Sequence, residues 1–206
     1  MRTTSPLRRA LITVTATAAV VLTATGSAVA VPVSGTAAAP HATVRSFSAL
    51  HPVVSLAAER LATADLVAAA KWGTDSPIDD PAREQQVLDN VAAQAQQLGA
   101  DPDEIRVIFR DQIEANKTVQ RGLFQRWTDH PDEAPTTKPD LSVVRQEINR
   151  VTSALVEALA GTADDRGAFT CRPELALTAL QVHHEDHLDA LHTRALVRAL
   201  RSVCGT

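Results

Sequence analysis

Apolar side chains recur at helical spacing along most of the chain. From about Pro52 to Trp72, the positions Val54, Ala57, Leu61, Ala64, Ala68 and Trp72 form the stripe of a helix with one buried face. "GTDSPIDD" then reads as a loop. Asp80 followed by Pro81 is an N-cap with proline at the first helical position, opening a helix that ends at Gly99. "DPDE" at 101–104 opens the next helix. Asp101 caps it, Pro102 suits the first position, and Glu104 completes a capping box. This helix runs to about Trp127. After the Pro-rich "TDHPDEAPTTKPD", a fourth helix spans about Leu141 to Ala160 and stops at Gly161. Beyond a loop at 161–172, residues 173–203 read as helical, with a break near His187. No stretch reads as a strand and no repeat is visible. The fold class is all-α, a single domain of about six helices.

One helix breaks its own pattern. Between Ile105 and Trp127, the residues Ile105, Phe109, Ile113, Leu123 and Trp127 share a side. At ~100° per residue, Asn116 and Gln120 fall within that arc, about 20° and 60° round from Ile105. Polar side chains facing a core are costly unless something satisfies them. Two readings are open. Either they hydrogen-bond between helices in a dry core, or they line a pocket.

The ends of the chain carry other information. Residues 1–30 read as a secretory signal: Arg2, Arg8 and Arg9 in front, "ALITVTATAAVVL" as the apolar middle, and "AVA" at 28–30 as a small-residue cleavage site. The apolar run is too short for a stable membrane span. Residues 31–50, small and Pro-containing, read as a flexible mature N-terminus, and 51–206 as the helical domain. The expectation is a secreted chain with no membrane attachment after cleavage near Ala30. Composition agrees with a helical core of aliphatic side chains, because alanine and leucine abound, tyrosine is absent and aromatics are 3%. The formal net charge is −4. Removing residues 1–30 takes away three arginines and no acid, leaving −7. Nonspecific nucleic-acid binding requires phosphate neutralisation and is disfavoured by such a charge. Cys171 and Cys204 are the only cysteines. In an exported chain an even pair reads as one disulfide.

Few chemical motifs survive inspection. "HHEDH" at 183–187 resembles a metal motif, but a zinc-protease pattern needs His-Glu-x-x-His, and the residue four after His184 is Leu188. A polar helix face or kink is the simpler reading, and no metal site is expected. "NKT" at 116–118 matches a glycosylation sequon, but it sits on the core-facing helix. No Ser/His/Asp order or Gly-rich phosphate loop is present. The cations are more telling. Arg60 and Lys71 lie three helical turns apart on the edge of the apolar stripe. They either snorkel into water or face a ligand. Arg83, beside Glu84, and Arg145 each sit in the first turn of a helix, against its dipole. With Asn116 and Gln120 they outline a small, positively charged pocket for an anionic ligand.

The segments "AAERL" (57–61), "AAAKW" (68–72), "PIDDPAREQQVL" (77–88), "DQIEANKTVQ" (111–120) and "PDLSVVR" (139–145) together resemble the motifs of the all-helical chorismate mutases. The cysteine pair and signal resemble their exported monofunctional subclass. The resemblance covers about residues 55–204 and rests on the combination and order of the motifs. It implies a type II-like helical fold and a rearrangement of chorismate to prephenate without a cofactor. It further implies that Arg60, Arg83 and Arg145 hold the two substrate carboxylates. Lys71 and Gln120 would donate to the ether oxygen from opposite sides, Glu84 would accept the substrate hydroxyl, and Asp80 would support the Lys71/Arg83 end. Asn116 would line the wall. The site would lie within one chain, and homodimers are possible. The competing expectation is a secreted helical ligand- or partner-binding protein that keeps the fold without catalysis.

Overall fold

The computed structural model of the chain describes residues 48–205. Among them, α1 spans His51–Lys71, α2 Pro81–Gln97, α3 Pro102–Asp129, α4 Leu141–Gly161, α5 Ala163–Gly167, α6 Cys171–Glu185 and α7 Ala190–Ala199. A 3-10 turn at Pro131–Glu133 follows α3, and no strand occurs among the described residues. The proposed signal and residues 31–47 lie outside this range. Leu50, which the sequence places in a weakly patterned extension, is fully buried at the head of α1.

The helix starts follow the acids that cap them. Asp80 accepts from the Arg83 N–H at 3.0 Å, Asp140 from Ser142 at 2.7 Å, and Asp189 from His192 at 2.8 Å. Each satisfies an N–H that the helix leaves without a partner. Asp101 caps α3 through Asp103 at 2.8 Å. The expected capping box does not close, however. The Glu104 carboxylate turns away from the Asp101 backbone and takes both Nη1 and Nη2 of Arg166 instead. Arg166 explains this choice: its side chain is 1% exposed, and a buried guanidinium without a carboxylate costs far more than an uncapped N–H at a wet helix end.

Arg166 also accounts for the second departure. The segment 161–172 reads as a loop in the sequence, yet 163–167 forms a short helix, so the described residues hold seven α-helices instead of about six. Its local sequence, ADDRG, has too few apolar residues to show periodicity. The turn is fixed from outside, because Arg166 donates to the Leu159 carbonyl at 3.1 Å and to that of Val203 at 3.5 Å. The break near His187 is present: α6 ends at Glu185, and His187 has φ of 50°. His183 pairs with Thr193 across the break at 3.0 Å, and no metal-holding cluster occurs among the described residues.

The 28-residue α3 is about 42 Å long and forms the spine. It packs on α1, α2 and α7, while α4 lies against α1 and α2. Fully buried Leu61, Ile105, Ile108, Phe109, Leu155, Leu159 and Leu196 fill the centre, each contributing roughly 1.5–3 kcal/mol of burial. The approach of α7 to α3 depends on Gly122, where an added Cβ would lie 2.6 Å from a Leu191 methyl. Cys171 and Cys204 form a disulfide with Cα atoms 5.8 Å apart, joining the start of α6 to the C-terminal turn.

Candidate active site

Where α1, α2, α3 and α4 face one another, they leave a cavity of about 250 Å³. Its lining includes Arg60, Lys71, Asp80, Arg83, Glu84, Asn116, Gln120 and Arg145. All eight residues singled out in the sequence therefore meet, across almost ninety positions and within one chain. Apolar Val67, Val87, Ile113 and Ile148 complete the walls, and Ser76, Pro77 and Ile78 of the α1–α2 connection border the mouth.

Helix geometry brings each of these groups in. Arg60 lies on the buried face of α1 and is only 5% exposed, so it does not snorkel into water. Its Nε donates to Thr152 at 3.3 Å, its Nη1 donates to the Gln112 carbonyl at 3.2 Å, and its guanidinium stands 5.7 Å above the Phe109 ring. Burial lowers its pKa to about 10, which leaves it cationic at neutral pH. Two of five N–H donors are committed, and the others remain for an anion. Lys71, three turns on, donates to the Pro77 carbonyl at 2.7 Å. Burial depresses the Lys71 ammonium, and nearby Arg145 adds to this, while Asp80, Asp79 and Glu84 act the other way.

Asp80 holds the first turn of α2, and so sets the height at which Arg83 and Glu84 enter the cavity. Among the described residues, Arg83 has one side-chain partner, Gln86 at 3.2 Å on the same helix. A guanidinium placed against the helix dipole with so little compensation is a group positioned for another anion. Arg145 is exposed at the rim, on the first full turn of α4.

The polar intrusion on α3 is real. Gln120 is 4% exposed and Asn116 half-buried. The Gln120 amide donates to Asn116 Oδ1 at 2.7 Å, and Asn116 donates to the Arg60 carbonyl at 3.5 Å. Part of the dry-core alternative is therefore realised, since Asn116 does tie α3 to α1. The chain of bonds does not satisfy the amides, however: Gln120 Oε1 is buried and has no partner among the described residues. One Gln120 N–H remains beyond the bond to Asn116.

The sequence reading missed Lys117. It lines the same cavity, yet it makes ion pairs with Glu114 at 2.6 Å, Glu84 at 3.1 Å and Asp79 at 3.2 Å. Asp79 also takes Arg121 at 2.7 Å. That arginine, and then Lys117, hold the Asp79 carboxyl below its ordinary range. Burial alone would depress the Lys117 ammonium, but the three carboxylates outweigh it and its pKa is raised. The signal available was the i, i+3 pair Glu114/Lys117, which is indistinguishable from an ordinary solvated helix pair.

Comparison with known proteins gives the fold a family. Residues 52–121 match the family model for chorismate mutase type II. A secreted chorismate mutase of Mycolicibacterium smegmatis is 38% identical over 165 residues, spanning 80% of this chain and 91% of that protein. The secreted chorismate mutase of Mycobacterium tuberculosis is 34% identical, over 80% of this chain and 83% of its own. The crystal structure of a chorismate mutase from Burkholderia phymatum superimposes with a TM-score of 0.73 at 36% identity, covering 77% of this chain and 97% of that one. Fold, extent and sequence coincide over the helices that build the cavity, and the chain belongs to the chorismate mutase type II family.

Proposed function

We propose that the protein is a chorismate mutase that rearranges chorismate to prephenate in this cavity, without a cofactor. The observation that carries the reading is the convergence of Arg60 and Lys71 from α1, Arg83 from α2 and Arg145 from α4 on one cavity, which Gln120 also lines. The substrate is a dianion with a flexible enolpyruvyl arm. Arg60, Arg83 and Arg145 clamp its carboxylates, a task for which planar guanidinium groups are well shaped. The clamp holds the arm over the ring, so that the two carbons to be joined are already close.

The [3,3] shift breaks a C–O bond as it forms a C–C bond, and needs neither base nor nucleophile. Negative charge gathers on the ether oxygen in the transition state. Lys71 and the remaining Gln120 N–H donate to that oxygen from opposite sides, and preorganised donors at developing charge lower the barrier. Glu84 accepts the ring hydroxyl. Asp80 fixes the first turn of α2, and Asn116 holds the Gln120 amide in place.

Mixing purified protein with chorismate and following the loss of its absorbance tests the activity. Lys71→Ala tests the assignment, and should reduce kcat more than it raises KM, because its bond strengthens in the transition state. An active Lys71→Ala enzyme would remove that residue from the chemistry. Both mycobacterial relatives carry "secreted" in their names, and among the described residues no helix is long and apolar enough to cross a membrane. Export with cleavage after Ala30 is the corresponding proposal, and N-terminal sequencing of the protein from culture medium tests it.

A further inference from the structure

We propose that Lys117 is a positioning residue for Glu84, and that it acts on the reaction only through that carboxylate. The proposal rests on the chorismate mutase reading above. Lys117 borders the cavity and would ordinarily be counted among the cations that receive a dianion. Its bonding excludes that. An ammonium has three N–H donors, and three carboxylates from three chain segments lie within 3.2 Å of Lys117 Nζ: Glu114 on its own helix, Glu84 on α2, and Asp79 on the α1–α2 connection. None of its donors is left for substrate.

The same contacts define what Lys117 does. It grips Glu84 by Oε1, which leaves Oε2 as the oxygen to receive the ring hydroxyl. Glu84 is 16% exposed at its side chain, so its orientation is set by this contact more than by water. Lys117 also answers an electrostatic problem. Glu84 and Asp80 line the cavity that receives an anion, and Asp79 adjoins them through Lys117. Lys71 from α1, Arg83 from α2 and Arg145 from α4 face the ligand space, whereas Lys117 from α3 is already saturated by carboxylates. Without it, Glu84 would be free to swing onto Lys71 or Arg83 and withdraw them from the substrate. Asp79 has a second hold through Arg121, so of the two carboxylates that Lys117 reaches outside its own helix, Glu84 depends on it more.

The test is a double-mutant cycle read in kcat/KM, with wild type, Lys117→Met, Glu84→Gln and the double variant. Methionine keeps most of the unbranched stem and removes its donors. Lys117→Met should lower kcat/KM about 10- to 100-fold, the cost of one hydrogen bond to a charged group. Most of the loss should fall on KM, because the ring hydroxyl is present in ground and transition states alike. In the Glu84→Gln background the same replacement should change kcat/KM less than threefold. Effects that multiply, or a Lys117→Met enzyme with wild-type kcat/KM, would overturn the proposal. If Lys117→Met does not fold, Lys117→Gln combined with Glu114→Gln removes a positive and a negative charge together and is judged by the same criteria. A wild-type chain inactive on chorismate refutes the functional reading and this proposal with it. An active wild type with independent effects refutes this proposal alone.

Discussion

Replacing Gln120 with leucine should separate stability from activity, in opposite directions. The amide is 4% exposed, and its Oε1 has no partner among the described residues. A buried unsatisfied acceptor costs ~1–3 kcal/mol, and leucine removes that cost. It also removes the 2.7 Å bond to Asn116 Oδ1, with a net value of about 1 kcal/mol. Asn116 is half-buried at the cavity wall, so water can meet the oxygen it loses. The balance is about 0–2 kcal/mol in favour of the folded leucine variant, and Tm should be unchanged or up to about 6 °C higher. Catalysis should move the other way. Loss of one preorganised donor to developing oxyanion charge typically lowers kcat by ~10²–10³. Thermal unfolding by circular dichroism and initial rates of chorismate loss read the two effects on one preparation. A Tm several degrees below wild type would mean that the amide is a structural tie between α3 and α1. Wild-type kcat would remove Gln120 from the mechanism.

Further outcomes follow from other contacts. Gln120→Glu can donate only when protonated, and its ionised oxygen would oppose Asn116 Oδ1. Its kcat/KM should be low at neutral pH and recover in part as pH falls, and full activity at pH 8 would contradict this. Arg83→Ala should fold with a near-normal Tm, since its one side-chain partner is Gln86. It should lose kcat/KM by an amount equivalent to roughly 2–5 kcal/mol. Arg60→Ala should lose activity and stability together, because Thr152, the Gln112 carbonyl and the Phe109 face all lose their partner. Reduction of the disulfide, with its sequence separation of 33, should cost about 4 kcal/mol of stability. Among the described residues, no cavity-lining residue comes from beyond Ile148, so kcat/KM at low temperature should survive. Asp65 and Asp189 hold the His192 imidazole and raise its pKa to about 9. A raised pKa stabilises the fold fully below the free-histidine value of ~6.5, and the contribution fades as pH climbs through about 9. The Tm difference between wild type and His192→Asn should shrink over that window.

The sequence disclosed the parts of the molecule that obey periodic or local rules. α1 to α4 carry long apolar stripes, and their acid or proline starts are visible in single residues, so their limits agree with the structure within a few positions. Asn116 and Gln120 stood out because they interrupt such a stripe, and Arg83 and Arg145 because they oppose a helix dipole. Lys117 violates no such rule. Its position on α3 lies at the flank of the apolar arc, and its neighbour Glu114 supplies an ordinary explanation. Only the packing of α2 and the 73–80 connection against α3 turns it into the hub of three carboxylates. The same holds for Arg166 and the short α5. Two partners of Arg166, Glu104 and the Val203 carbonyl, are each more than thirty residues away, and nothing in "ADDRG" announces them.

The disulfide has a consequence for proteolysis. Cys171 and Cys204 close a covalent ring around α6, the exposed turn at Asp186–His187, and α7. That turn, with a left-handed residue at its centre, is the natural place for a protease to enter. A single cut there would open the ring but leave the two fragments joined through the disulfide, so α7 would stay tethered to α6. It would also stay docked on α3, through the Gln112 bond to the Ala199 carbonyl at 3.1 Å and the Ser202 bond to Asp111 at 2.6 Å. Nicked molecules should therefore run as one species until a reductant is added, and then as two. The fold would tolerate a break at this turn, because the cavity behind α3 keeps its backing.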